Sequence, residues 1–226
     1  MDFGAKYGPW AVIAGASEGL GVSFAEQLAA AGINIILIAR NAEKLDDVAA
    51  MLVDRFAVQV RKAVIDLTSD DMVERVAAAS EDVDVGFLLY NAGAVSGPKL
   101  VIDQGREEIM HTIRLNTIGQ TMLAQHFGQK MVARGRGGIV LVGSGGAHAG
   151  CYQLAVYSAV KAYTMTFAEG LWAEMKPSGV DVAALMIGRT RTPALERSKY
   201  GQDSGVAAAE PDDIARFALA NLENGP

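Results

Sequence analysis

The sequence predicts an α/β fold, a doubly wound parallel sheet covered by helices on both faces. Three observations predict it. Near-continuous apolar runs, which read as strands buried on both sides, alternate with amphipathic stretches along almost the whole chain. The first run leads through a glycine turn, Gly15, Gly19 and Gly21 in a G-x3-G-x-G spacing, into a helical period. The length of 226 residues, half of them hydrophobic and only six of them proline, suits one domain with a sizeable core. Together they describe a Rossmann-like three-layer α/β/α arrangement, a single domain over residues 1–226.

Taken in order, the first strand is Trp10–Ala14, and Leu20, Phe24 and Leu28 then recur every fourth residue in a helix over 20–31. Further strands are expected at Asn34–Ala39, Gln59–Ile65, Val85–Tyr90, Ile139–Val142 and Asp181–Ile187. Helices are expected near 42–56, 70–80, 105–133, 155–176 and 211–222. Crossovers between parallel strands should be right-handed. The ligand of such a sheet lies outside the carboxyl ends of its strands. That rule assigns the chemistry to Gly15–Gly21, Ala39–Arg40, Asp66, Asn91–Gly93, Gly143–Ser144 and Gly188–Thr192. No repeat, low-complexity tract or linker interrupts the pattern.

Composition excludes several functions. A net charge of −6 disfavours a general nucleic-acid or anionic-membrane surface. The single cysteine, Cys151, excludes an intrachain disulfide and a multi-cysteine metal site, and reads as a small apolar filler. His111, His126 and His148 are scattered without metal-ligand spacing. His148 lies near Ser144 and reads as a loop histidine or as a lining of the pocket. The opening MDFGAKYGPW has no basic segment followed by an apolar one, and no apolar run approaches about 18 residues, so a soluble cytoplasmic protein is expected.

The glycine turn is a candidate phosphate cradle. Glycine permits the tight turn and lets backbone approach a ligand, and the first-turn N–H groups of the helix favour a diphosphate. Ser17 adds a hydroxyl donor, and Leu20 opens the helix. A dinucleotide with a free ribose 2′-hydroxyl usually meets a carboxylate about 20 residues past this turn. Here Ile35–Ala39 ends without one and Arg40 follows, which reads either as a partner for a 2′-phosphate or as a solvated loop arginine. Asp66 either accepts from an adenine amino group or caps the next helix.

Tyr157 and Lys161 stand four apart in AVYSAVKAYTMTF and share a helix face. A lysine near a helix N-terminus is mildly disfavoured by the dipole, so local energetics do not account for Lys161. A nearby ammonium favours phenolate, and a phenol so tuned can exchange a proton with a carbonyl or alcohol oxygen. Ser144, after the strand GIVLVG, either holds that same oxygen or is an ordinary turn serine. Met165 and Met175 read as core or interface filler.

With these motifs in order, the sequence resembles the short-chain dehydrogenase/reductases over Trp10 to about Asn221. AGASEGLG is similar to the family's TG-x3-G-x-G turn, with Ala14 in place of threonine. YNAG, which holds Asn91, Ala92 and Gly93, is similar to NNAG, with Tyr90 in place of asparagine. RLNTIG places Asn116 at the family's active-site asparagine. Ser144, Tyr157 and Lys161 fall on its catalytic serine, tyrosine and lysine. IGRTRTP resembles the PG-x-V-x-T segment that holds the nicotinamide amide: Gly188 and Thr192 match, while Ile187 and Thr190 replace proline and valine.

The resemblance implies roles. Tyr157 is general acid or base, Lys161 lowers its pKa and bonds the nicotinamide ribose, Ser144 orients the substrate oxygen, and Asn116 positions a water that links Lys161 to solvent. Arg40 sits where NADP-preferring members carry a basic residue, whereas Glu18 departs from the basic residue many of them have before the second glycine. Ala14 and Tyr90 each lose a polar group that braces turn and sheet, while Ile187 still offers its backbone carbonyl. A substrate lid is expected near 191–210, short and polar for the family, and the family's seventh strand would begin where ENGP stands. Pairing of 105–133 with 155–176 implies a homodimer or homotetramer, with Ile113, Leu115, Ile118, Met122, Leu123, Phe127, Met165, Phe167, Leu171 and Trp172 as apolar candidates. The expected function is hydride transfer between NADP(H), with NAD(H) second, and a small carbonyl or alcohol. The competing readings are an NADP(H)-binding regulatory protein without turnover, and a nucleotide-binding enzyme such as a methyltransferase, which has no use for Ser144, Tyr157 and Lys161 together.

Overall fold

A computed structural model of the chain describes residues 3–93, 97–197 and 207–226. Six strands form one parallel sheet in the order β3-β2-β1-β4-β5-β6. They are β1 Trp10–Ala14, β2 Asn34–Ala39, β3 Val60–Val64, β4 Val85–Tyr90, β5 Gly137–Val142 and β6 Val180–Leu185. The helices are α1 Phe3–Tyr7, α2 Leu20–Ala30, α3 Ala42–Arg55, α4 Met72–Ala79, α5 Arg106–Ile113, α6 Gly119–Arg134, α7 Ala155–Met175, α8 Pro193–Arg197 and α9 Pro211–Asn221. β1 pairs with β2 on one side and β4 on the other, so the direction of winding reverses there and a crevice opens beyond the strand ends.

Strand alternation builds two cores. Trp10, Val12 and Ala14 of β1 pack with Leu123 and Phe127 of α6 and Leu171 of α7. Ala11 and Ile13 face the other way, against Phe24 and Leu28 of α2, Leu45 and Leu52 of α3, and Ala215 and Ala218 of α9. Burial of each Phe or Leu contributes about 1.5–3 kcal/mol, so the central strands are fixed from both faces. That fixity places the loops at the strand ends.

Three strands stand where the sequence predicts them. β3 is one residue shorter at each end than Gln59–Ile65, and β6 is Val180–Leu185 rather than Asp181–Ile187. β5 begins two residues before Ile139 because Gly137 and Gly138 join it. Glycine carries no apolar signal, and at Gly138 its bareness is needed: a Cβ there would lie 2.8 Å from Tyr7 Cδ1. The helix expected over 105–133 is α5 and α6 joined by a π-helical turn, Arg114–Ile118. Among the described residues β6 is the last strand, and no helix is long and apolar enough to cross a membrane.

Candidate active site and cofactor groove

The glycine turn is held by close backbone approach. Gly15 has φ 90°, and a Cβ on it would lie 2.7 Å from Ala92 N. A Cβ on Gly21 would lie 2.1 Å from Gly15 O. Asn91 Nδ2 donates to Gly15 O at 2.8 Å, and the Asn91 and Ala92 amides donate to Ala14 O, which fastens the turn to the end of β4. α2 begins at Leu20 with no side-chain cap on its first turn, so its amides suit a diphosphate. Leu20 itself is buried in the second core, so only its backbone can serve a ligand, while Ser17 is half-buried beside it.

At the adenosine end Arg40 is exposed after β2. Asp66 Oδ1 accepts from Thr68 N at 2.9 Å and Thr68 Oγ1 at 2.8 Å, closing a turn ahead of α4. Burial raises the Asp66 pKa, but the Thr68 hydrogen bonds, with Arg40 and His111 nearby, hold the carboxyl below its usual range. Glu18, in the glycine turn, pairs with Lys44 of α3 and with both Nη atoms of Arg197 of α8, Nη1 at 3.1 Å. The Arg197 hydrogen bonds lower the Glu18 pKa against partial burial, and Lys44 adds to the effect.

The catalytic candidates converge at the ends of β4 and β5. In the π turn the Gly119 amide reaches back to Arg114 O rather than to Leu115 O, and the Tyr90 hydroxyl donates to Leu115 O at 2.7 Å. Gly119 makes room for that phenol, since a Cβ there would lie 2.2 Å from Tyr90 Oη. The polar group of Tyr90 is thus used on the π turn, while Asn91 holds the glycine turn. Asn116, on that turn, is buried, donates from Nδ2 to Thr112 O at 2.9 Å and receives Gln120 Nε2 on its main-chain carbonyl. Gln120 also donates to Thr164 Oγ1 at 3.0 Å, which ties the turn to α7.

Lys161 is buried and donates from Nζ to Val142 O at 3.0 Å. Burial pushes its pKa down to about 8. Its Nζ lies 5.9 Å from the centroid of the Tyr157 ring. A Cβ on Gly93 would lie 3.0 Å from Asn116 Oδ1 and 3.1 Å from Lys161 Nζ, so one bare glycine separates the asparagine, the lysine and the end of β4. A Cβ on Gly146 would lie 3.7 Å from both Ser144 Oγ and Tyr157 Cε1. Ser144 Oγ accepts from Gly146 N at 3.2 Å and remains half-buried, as does Tyr157. Gly93 thus neighbours Asn116 and Lys161, Gly146 neighbours Ser144 and Tyr157, and the Lys161–Tyr157 approach links the two pairs.

The segment after β6 touches both the Ser144 loop and the glycine turn. Ile187 O accepts from Gly145 N at 2.8 Å, so the carbonyl expected to meet a nicotinamide amide is already engaged by the Ser144 loop. A Cβ on Gly188 would meet nothing within 4 Å, which leaves open space there. Thr190 donates to Gly188 O at 3.3 Å and bridges to Ala209. Thr192 caps α8 by accepting from Leu195 N at 3.2 Å, and a Cβ on Gly19 would lie 2.8 Å from its Cγ2. Arg191 Nε donates to Glu210 at 2.6 Å, so the two ends of the expected lid are joined. Residues 198–206 of that lid lie outside the described residues.

A cleft beside Tyr157 is lined by Gly97, Gln104, Thr112, Gln153, Leu154 and Val156. Gln153 holds φ 62°, a conformation that non-glycine residues rarely adopt and that is found at ligand sites. His148 is exposed and takes no part in this lining. Among the described residues no cluster of three or more His, Cys, Asp or Glu could hold a metal. Sequence reasoning missed the parts played by Tyr90, Lys44, Arg197 and Gln153. Lys44 carried a readable signal, because a lysine in the first turn of a helix opposes the dipole; Lys161, expected to carry it too, is the seventh residue of α7 and lies beyond that turn.

A parallel sheet with this switch point, a glycine turn on an uncapped helix, a serine after β5 and a tyrosine and lysine on α7 place the chain among the doubly wound α/β proteins. The chain belongs to the short-chain dehydrogenase/reductase family, whose model, described as short chain dehydrogenase, matches residues 9–203. It is 33% identical to a 7beta-hydroxysteroid dehydrogenase of Clostridium sardiniense, over 98% of this chain and 85% of that one. It is 35% identical to the human inactive hydroxysteroid dehydrogenase-like protein 1, over 96% of this chain and 66% of that one. Among solved structures it is similar to a short-chain dehydrogenase from Sphingobium yanoikuyae in complex with NADPH, with a TM-score of 0.88, 34% identity, and coverage of 96% of this chain and 84% of that one.

Proposed function

We propose that the protein is an NADP(H)-dependent oxidoreductase that interconverts a small carbonyl compound and its alcohol. The observation that carries this reading is the proximity of Asn116 and Lys161 across Gly93, of Ser144 and Tyr157 across Gly146, and of Lys161 to the Tyr157 ring, at the ends of β4 and β5. NADP(H), when bound, supplies or accepts the hydride. The turn Gly15, Ser17, Gly19, Leu20 and Gly21 would hold its diphosphate, Arg40 its 2′-phosphate, Asp66 its adenine, and Asn91, Ala92, Gly93, Gly188, Thr190 and Thr192 the remaining length. The bare glycines and the uncapped α2 fit such a ligand.

In reduction, Tyr157 gives its phenolic proton to the carbonyl oxygen while Ser144 Oγ holds that oxygen. The Lys161 ammonium favours the resulting phenolate, and Asn116 orients the water that returns the proton. In oxidation the same groups run in reverse. The segment 191–210 would serve as a lid within a single domain, and exposed Ile118 of the π turn, Met122 of α6 and Tyr163 of α7 would pair two copies. The names of the bacterial relatives make a hydroxysteroid the first substrate class to try.

The likeness to a human protein named inactive favours a second reading, cofactor binding without turnover. One experiment separates the two. Hydroxysteroids, ketones, aldehydes and alcohols are assayed with NADPH and NADH on the wild type and on Tyr157→Phe. Turnover in the wild type that falls by about 10²–10⁴ in the mutant, with cofactor affinity kept, supports the enzyme. Cofactor binding with no turnover in either protein supports the second reading.

A further inference from the structure

Glu18 is a carboxylate in the glycine turn that a diphosphate cofactor would occupy, and it holds two cations at once. Arg197, the last residue of α8, engages it with both Nη atoms, and Lys44 reaches it from the first turn of α3. A forked guanidinium already satisfies a carboxylate, so the ammonium is surplus to Glu18's needs. Lys44 also stands where a helix disfavours a cation, three residues into α3 and opposite the dipole. Its side chain is 43% exposed, and exposed pairs of this kind are weak, so nothing binds Lys44 to Glu18 strongly.

The position is what gives the surplus charge a use. Arg40 ends β2, Asn41 caps α3 and accepts from Lys44 N at 2.9 Å, and the Lys44 ammonium bends back to the glycine turn. The ribose 2′ position of a dinucleotide lies between those same two elements, the end of β2 and the turn. Lys44 and Arg197 face Glu18 as two cations against one carboxylate, and Arg40 stands at the end of β2 near Asp66, whose charge is hydrogen-bonded to Thr68. A 2′-phosphate carries nearly two negative charges and three acceptor oxygens, like other phosphomonoesters, and would give the surplus ammonium of Lys44 a stronger partner than a carboxylate that Arg197 already holds.

We infer that Lys44 is a second 2′-phosphate-binding residue beside Arg40, and that Glu18 is its counter-ion only until the phosphate arrives. When the phosphate enters, Lys44 passes to it and Arg197 keeps Glu18, turned from the phosphate and tied to α8. NADH, with a neutral 2′-hydroxyl, leaves Lys44 on Glu18. The inference rests on the preference for NADP(H) proposed above.

Equilibrium titration of nicotinamide fluorescence with NADPH and with NADH tests it, on the wild type, Arg40→Ala, Lys44→Met, Lys44→Arg and Glu18→Gln. Lys44→Met should weaken NADPH about five- to tenfold and NADH less than about twofold, with Lys44→Arg restoring most of the loss. Glu18→Gln should tighten NADPH about threefold and leave NADH unchanged, because Lys44 is released and a repulsion is removed. Equal affinities of the wild type for NADPH and NADH would show that the underlying preference is wrong. A wild-type preference that Arg40→Ala abolishes, but that Lys44→Met leaves intact or shares equally with NADH, would overturn the role of Lys44 and leave the preference standing. Selective weakening of NADPH by Glu18→Gln would overturn the role given to Glu18.

Discussion

Lys161→Met should stabilise the cofactor-free protein at neutral pH while destroying its function. The Lys161 ammonium is buried, and that burial lowers its pKa from 10.5 to about 8. At about 1.4 kcal/mol per unit, the charge costs the folded state about 3 kcal/mol. Below pH 8 folded and unfolded chains both carry the proton, and the whole cost is present. Between pH 8 and 10.5 the unfolded chain keeps a proton that the folded one has lost, so wild-type stability rises with pH across that window. Methionine removes the charge but leaves Val142 O without the Lys161 donor, a loss of about 1–3 kcal/mol. The mutant should therefore be more stable than wild type by about 0–2 kcal/mol at pH 7, and less stable once the pH passes 10. Urea denaturation of both proteins, at one concentration and at several pH values from 7 to 10.5, gives the difference directly, with all other titrations cancelling. A difference that stays flat over that range would refute the picture of a desolvated ammonium held for its chemistry. Titration with NADPH should show weaker binding by the same mutant.

Three further outcomes follow from the geometry. Tyr90→Phe should lose about 1–3 kcal/mol in thermal or urea unfolding, because Leu115 O loses its hydroxyl donor, and should lower kcat more than it alters cofactor affinity; an unchanged kcat would show that the π turn does not depend on Tyr90. Gly21→Ala should abolish cofactor binding or folding, since its Cβ would fall 2.1 Å from Gly15 O, and unaltered NADPH titration and melting would contradict that packing. Sedimentation at micromolar concentration should give a dimer or tetramer that Met122→Lys weakens, because Ile118 of the π turn, Met122 of α6 and Tyr163 of α7 are large apolar residues left exposed; a monomer in the wild type would remove that interface.

That interface also shows where sequence reasoning stops. Ten apolar residues were expected to serve it, but Leu115, Leu123, Phe127 and Leu171 are buried within the protomer, Ile113, Met165, Phe167 and Trp172 are half-buried, and Ile118 and Met122 are exposed. Helical period identifies an apolar face without saying which neighbour covers it. The fold, by contrast, was legible. Short apolar runs such as Trp10–Ala14 and Val85–Tyr90, too short for helices, read as strands buried on both faces, and their alternation with helical periods implies a parallel sheet. The spacing of Gly15, Gly19 and Gly21, and of Ser144, Tyr157 and Lys161, marked the site, because local chemistry accounts for those residues poorly.

What the sequence determined by itself was the set of local facts: strand, turn, helix, and which residue types stand at strand ends. What only the tertiary structure decided was every relation between residues distant in the chain. The Tyr90 hydroxyl had no readable partner until the π turn brought Leu115 O to it. Glu18, Lys44 and Arg197 meet across as many as 179 positions of separation, and no periodicity encodes that meeting. The lowered pKa of Lys161 likewise comes from desolvation by packed neighbours, a property of the folded interior and not of the lysine.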